Sequence, residues 1–316
     1  MASTAAPLYR KQPLSIACLQ YDPKLKDVDG NVRRVESLLQ GLQSGEVDLL
    51  VCPEMFLTGY MFTSAPDIKP FLEPPRIGRT SLFCRELATR YKCWVVGGYP
   101  ELAEEDAGRD EDKPGYNSAV LVSPSGEVVG NYRKCFLYDT DKTWAREGDG
   151  FKVFGLPPPL NRTVIGICMD MNPKDFIAPF DAYELANFVR TNQADTLIVP
   201  MNWLQPPQEP PDDPASAEEA NDHPSDEGPE LSTLNYWAHR LMPLHDPAPG
   251  YHAPPPAGEP GGKEVVFVAC NRVGTERDTT FAGSSAVLTI SSSPSRIELI
   301  EAFGRREEGV MFAKVN

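Results

Sequence analysis

The pattern of this chain predicts an α/β fold with two sheets packed face to face and helices outside. Two observations carry that reading. Short apolar runs recur along the 316 residues and stop at Pro, Gly or Asn turn signals. Some of these runs are separated by helical periodicity and others only by turns. β-α units are thus mixed with hairpins, which points to two layers of sheet under outer helices.

The elements follow in order. Residues 1–11 form an N-terminal extension and 14–20 a first strand. Residues 31–42 are predicted helical, because Val32, Val35, Leu38, Leu39 and Leu42 fall on one face. Residues 47–52 are an apolar strand, and 56–77 a loop rich in Pro, Gly and Thr. A helix over 80–91, with Thr80 as its cap, leads to a strand over 93–98 and a charged loop over 101–114. Residues 117–123 and 127–133 pair as a hairpin about Pro124-Ser125-Gly126. Residues 163–168 read as a buried strand ended by the Asn172-Pro173 turn. A helix over 181–191 and a strand over 196–201 follow. Strands over 264–269, 282–290, 296–302 and 309–313 close the chain.

Residues 205–262 stand apart. They hold fourteen prolines and eleven Asp or Glu against one Arg, a net −10 of the chain's −15. Such a composition buries too little apolar surface to offset its ordering entropy. Leu234, Trp237, Ala238 and Leu241 still mark one face of a helix over 231–244. The segment reads as a Pro-rich acidic insertion, an inert loop in preference to a lid or a partner site.

The acidic balance speaks against a nucleic-acid partner. No run reaches the roughly 18 apolar residues that span a bilayer, and the N-terminus lacks the apolar stretch of a secretory signal. Neither a membrane nor export is expected. Seven Cys without a C-x-x-C pair fit a reducing, intracellular setting, the cytoplasm first, with mitochondrial or nuclear addresses open.

Three strand ends carry chemistry. The run 47–52 leads into Pro53-Glu54, the run 128–133 into Lys134, and the run 163–168 ends at Cys168. Each alone is an ordinary packing or surface residue; together they point to a hydrolase with a cysteine nucleophile. A free thiol has a pKa of about 8.5 and needs a base, usually His. All four His (His223, His239, His245, His252) lie inside the acidic insertion, so the base is expected to be Glu54, its pKa raised by burial. Lys134 and the backbone N–H of Met169 are the donors for a developing oxyanion. No metal or organic cofactor is implied.

Pro53-Glu54-Met55-Phe56-Leu57-Thr58-Gly59-Tyr60, Tyr132-Arg133-Lys134 and Gly166-Ile167-Cys168-Met169-Asp170 resemble the three signatures of the nitrilase, or carbon–nitrogen hydrolase, superfamily. The resemblance extends over Asn117-Ser118-Ala119-Val120 and Ala269-Cys270-Asn271-Arg272-Val273-Gly274. It implies a four-layer αββα sandwich, one carbon–nitrogen hydrolase domain over 12–316, and a triad of Glu54, Lys134 and Cys168. By family analogy it implies a homodimer. The family's second Glu beyond the Lys has no clear counterpart; Asp141 and Glu147 both compete for it.

Cys168-Met169-Asp170 followed by Asn172-Pro173, with Phe136-Leu137-Tyr138 and Pro200-Met201-Asn202-Trp203, resembles the fungal branch of that superfamily acting on protein N-termini. That implies deamidation of N-terminal Asn and Gln of proteins and peptides to Asp and Glu, through a Cys thioester, in the N-degron pathway. Tyr60, Asp170, Asn172, Asn202 and Trp203 are then the candidate substrate-binding residues. Two alternatives stand beside this reading: a small-molecule amidase or carbamoylase, and a scaffold acting through the acidic insertion.

Overall fold

The computed structural model describes residues 12–104, 110–206, 228–246, 263–292 and 294–316. The 1–11 extension and most of the 205–262 insertion, including His223 and His252, lie outside the described residues. The first sheet is built from β1 (Leu14–Gln20), β2 (Leu49–Val51), β3 (Trp94–Leu102), β4 (Gly115–Val122), β5 (Val128–Arg133) and, from the far end of the chain, β14 (Gly309–Val315). Its spatial order is β14-β1-β2-β3-β4-β5. The second uses β6 (Val153–Gly155), β7 (Arg162–Ile165), β8 (Thr196–Pro200), β9 (Glu264–Cys270), β12 (Ala286–Ser292) and β13 (Ser295–Ala302), in the order β13-β12-β9-β8-β7-β6. β10 (Thr275–Glu276) and β11 (Thr279–Thr280) pair separately.

Each large sheet has a parallel centre, β1-β2-β3 in one and β7-β8-β9 in the other, with antiparallel strands outside it. Parallel neighbours need long crossovers. In the first sheet these carry α1 (Val28–Leu38), α2 (Ala65–Ile68) and α3 (Arg79–Tyr91). Beyond α4 (Asp139–Lys142), the second sheet uses α5 (Glu184–Thr191), α6 (Leu231–Arg240) and α7 (Met242–His245).

Alternation along the strands places the core. Ile16, Cys18, Leu49, Val51 and Val96 share one apolar cluster with Ile198, Val266 and Val268 of the other sheet. Ala17, Leu19, Leu50 and Val95 pack instead with Val35 and with Phe83, Leu87 and Tyr91 of α3. Strands buried on both faces read as continuous apolar runs, which is why the sequence shows them without a clear period of two.

The boundaries differ where local chemistry decides them. α1 starts earlier than its apolar stripe, because Asp27 accepts from Gly30 N–H at 3.0 Å and caps an exposed polar turn. Thr80 is not the cap of α3. It lies inside the first turn, where its N–H and hydroxyl donate to the Glu73 carboxylate at 2.7 and 2.6 Å. The loop over 56–77 contains α2 and a further single turn, both too short to show a period. α5 begins only at Glu184, since Tyr183 takes a left-handed conformation (φ 45°) that breaks it from the preceding turn. The helix over 231–244 is two helices, with Pro243 in the first turn of the second. The strand before Cys168 stops at Ile165, and Cys168 opens a 3-10 turn, Cys168–Met171. Among the described residues, no helix is long and apolar enough to cross a membrane.

Candidate active site

The site lies past the C-terminal ends of the parallel strands, where open α/β sheets leave a crevice. β2 delivers Glu54, which is fully buried. The chain reaches that position only because β3 carries Gly98, where a Cβ would fall 2.5 Å from Glu54 Cα. Met55 follows in a left-handed conformation (φ 51°), which turns the chain sharply away.

Lys134 follows β5 and is also fully buried. Its Nζ donates to Glu54 Oε1 at 2.7 Å and to Asp141 Oδ2 at 2.6 Å. Asn117, at the start of β4, ties the two carboxylates together. Its Nδ2 donates to Glu54 Oε1 at 2.7 Å and to Asp141 Oδ1 at 2.9 Å. Asp141 also accepts from the Tyr138 N–H at 3.0 Å and so holds the turn that carries it. Of the two competitors for the second acid, Asp141 is the one at the lysine. Glu147 sits at the surface, paired with Lys174 at 2.8 Å.

The electrostatics follow from burial. Desolvation pushes the Glu54 carboxyl above the ordinary glutamate range, and Lys134 only partly opposes it. Burial works against the Lys134 charge as well, but Asp141 and Glu54 outweigh it and hold the lysine well above its usual range. Lys134 and Asp141 neutralise one another, which leaves Glu54 as the carboxylate with least compensation. Its Oε2 has no hydrogen-bond partner among the described residues.

Cys168 has φ 39°, a conformation that costs a non-glycine residue about 1 kcal/mol or more and fixes the thiol at a corner. Burial raises its pKa well above the free value; Glu54 adds to that shift, while Lys134 and the Asn202 backbone N–H oppose it. Moving the thiol proton to Glu54 leaves the total charge of the buried group unchanged. The negative charge moves from Glu54 to the sulfur, so thiolate formation here requires no new net charge in a dry site, which is the costly step elsewhere.

Above Cys168 opens a cavity of about 700 Å³. Of the candidate substrate-binding residues, Tyr60, Asn172, Asn202 and Trp203 line it, and Met169, Tyr138, Phe176, Thr233 and Tyr236 join them. Tyr60 is fixed from behind, since Glu276 accepts from its N–H at 2.9 Å and is itself bonded to the buried Arg272. Asn271 locks the turn after β8: its Oδ1 accepts from Trp203 N–H at 2.8 Å and its Nδ2 donates to Trp203 O at 3.2 Å. Asn172 Oδ1 accepts from the Tyr236 hydroxyl at 2.7 Å, so that amide is committed to the wall.

Asp170 is placed differently from the other predicted residues. It does not line the cavity. Its carboxylate accepts from Tyr132 Oη at 2.7 Å and from the N–H groups of Cys135, Phe136 and Ile167 at 3.1, 2.8 and 2.8 Å. The acid thus pins the Cys168 turn to the segment after Lys134. Burial pushes its pKa up to about 6 against the pull of those donors.

Asn117, Tyr138, Phe176, Thr233 and Tyr236 carry no signal in the sequence that marks them as site residues. Asn117 and Tyr138 stood inside matched motifs without a role. Thr233 and Tyr236 lie on the one helix recognised in the acidic insertion, and nothing local says which surface that helix meets.

Comparison with known proteins agrees with this geometry. A family model described as carbon-nitrogen hydrolase matches residues 15–176. The chain is 34% identical over 296 residues to a protein N-terminal amidase of Schizosaccharomyces pombe, covering 88% of this chain and 92% of the relative. It is 32% identical over 212 residues to a protein N-terminal amidase of Saccharomyces cerevisiae, covering 60% of this chain and 45% of that one. A crystal structure of an N-terminal amidase with an Asn-Glu-Ala peptide matches with a TM-score of 0.76 at 24% identity, covering 96% of this chain and 97% of the other. That likeness is one of fold. The chain belongs to the carbon–nitrogen hydrolase family and is an amide-hydrolysing enzyme.

Proposed function

We propose that the enzyme deamidates N-terminal Asn and Gln of proteins and peptides, giving Asp and Glu with release of ammonia. The observation that carries the reading is the opening of Cys168, above the buried Glu54-Lys134-Asp141 group, into a cavity of about 700 Å³ walled by aromatic and amide side chains. Such a cleft holds far more than a carboxamide, and so suits the end of a chain. The S. pombe relative, matched over most of both chains, bears the corresponding name.

The chemistry runs in two halves. Glu54 takes the proton of Cys168, and the sulfur attacks the carbon of the side-chain amide. The carbonyl oxygen becomes an oxyanion, held by Lys134 Nζ and the Met169 N–H. The C–N bond breaks, Glu54 gives its proton to the leaving nitrogen, and ammonia departs from a thioester. Glu54 then takes a proton from water, whose oxygen attacks the thioester carbon. The C–S bond breaks, Glu54 returns its proton to the departing sulfur, the thiol is restored, and the new carboxylic acid leaves. Asp141 and Asn117 are positioning residues that hold the Lys134 and Glu54 side chains.

A metabolite amidase would use the same trio, and the substrate separates the two readings. A scaffold acting through the acidic insertion has no need of a buried, paired trio. Mass spectrometry of an Asn-initiated and a Gln-initiated peptide tests the proposal. The first residue is expected to become Asp or Glu, with a hydroxylamine-sensitive acyl adduct on Cys168 during turnover. Unchanged peptides beside hydrolysed small ω-amides would move the enzyme to the metabolite class.

A further inference from the structure

Two cavity-lining side chains are left over once the reacting trio and the wall are accounted for. Asn202 follows β8 and is 2% exposed, and neither its Oδ1 nor its Nδ2 has a hydrogen-bond partner among the described residues. Thr233 sits in the first turn of α6, is also 2% exposed, and its Oγ1 is likewise without one. Both line the cavity that Cys168 opens into. Buried polar atoms are almost always paired, and leaving one unpaired costs as much as a lost hydrogen bond or more. Three unpaired atoms on two residues that line one cavity point to a ligand that completes them.

The chemistry of that ligand can be read from the inventory. A carboxamide offers one acceptor and two donors, and a hydroxyl offers a donor and acceptors. Among the described residues that line the cavity, none carries a carboxylate, an amine or a guanidinium. A neutral receptor of this kind suits a group that presents donors and an acceptor side by side. An α-ammonium followed by a peptide carbonyl is such a group. A free α-carboxylate is not, since it presents acceptors only where a peptide group presents both an N–H and a C=O.

Building on the proposed function, we propose that Asn202 and Thr233 form the receptor for the substrate's α-ammonium and first peptide group. They make the enzyme select a chain terminus over free asparagine or glutamine. Asn172 does not share the task, because its acceptor is taken by Tyr236. The acidic insertion then has a function at its helical part: α6 carries half of the receptor to the cavity.

The test compares kcat/KM for three substrates: an Asn-initiated peptide, asparagine α-amide and free asparagine. The α-amide keeps a neutral carbonyl without a following chain. The expected order places peptide and α-amide within about tenfold of each other and free asparagine at least about a hundredfold below. Thr233→Val, which keeps shape and removes the hydroxyl, should raise KM for peptide and α-amide about tenfold with kcat little changed. Thr233→Ser should restore most of the loss, which a packing role for the threonine methyl would not allow. Free asparagine turned over as well as the peptide, or an unchanged KM in Thr233→Val, would overturn the inference while leaving the N-terminal amidase reading intact. No ammonia from any of the three would overturn that reading and this inference with it.

Discussion

The floor beneath Cys168 and the wall of the cavity both carry buried polar groups, yet they are built in opposite ways. On the floor, Glu54, Lys134, Asp141 and Asn117 are bonded to one another, and only Glu54 Oε2 and Asn117 Oδ1 lack a partner. On the wall, Asn202 and Thr233 have no side-chain hydrogen-bond partner among the described residues, and they stand among aromatic rings that are firmly held. A closed network fixes geometry and pKa before substrate arrives, which serves chemistry. An open one leaves its hydrogen bonds for the substrate to complete, which serves selection. The difference separates what makes this site an amidase from what chooses its substrate.

The floor is most sharply broken at the thiol. Cys168→Ala should lower turnover by at least about 10⁴-fold, with near-UV circular dichroism and unfolding midpoint close to wild type. Turnover surviving in that variant would remove Cys168 from the mechanism. Lys134→Met should abolish activity and also destabilise the fold by about 3–5 kcal/mol in urea unfolding, because it strands Glu54 and Asp141 as buried carboxylates without their cation. A Lys134→Met protein as stable as wild type would mean that the lysine does not hold the two acids in place.

The protonation states give the next test. The one-proton form of the Glu54–Cys168 pair is the reactive one. Below the raised Glu54 value both groups are protonated, so kcat/KM should climb with pH along a limb set above the ordinary glutamate value of about 4.3. At high pH the pair loses its last proton and the rate should fall. Because burial also raises Cys168, that descending limb should lie on the alkaline side of the free-thiol range. An acid limb at the ordinary glutamate value would mean that Glu54 is solvated.

The smallest effects separate the two acids that compete in the sequence. Asp141→Asn should cost activity about tenfold or more, since it loosens Lys134. Glu147→Ala should change stability by less than about 1 kcal/mol and leave the rate alone, because it removes only an exposed ion pair with Lys174. Equal effects of the two would mean that Lys134 is not positioned by Asp141.

Much of this site is legible in the sequence because parallel strands buried on both faces announce themselves as apolar runs, and the residue just past each run is the one presented to the crevice. Glu54 and Cys168 are placed that way, and Lys134 by the hairpin that ends in it. The choice between Asp141 and Glu147 is not legible, since both lie in the same irregular stretch and only the tertiary path decides which one turns inward. Asp170 shows the converse. An acid beside a nucleophile reads as a pocket group, but backbone N–H groups from two separate segments consume it. For α6, the apolar face of Leu234, Trp237 and Leu241 shows that one side is buried without showing against what. Thr233 and Tyr236 therefore emerge as site residues only once the helix is seen packed beside Cys168.

The central claim is that this buried trio acts on the first residue of a chain. Ammonia release from three matched peptides tests it most directly: one with a free N-terminal Asn, the same peptide N-acetylated, and one with Asn at the second position. The account predicts release from the first alone. Equal release from the acetylated peptide, or from Asn at the second position, would contradict it.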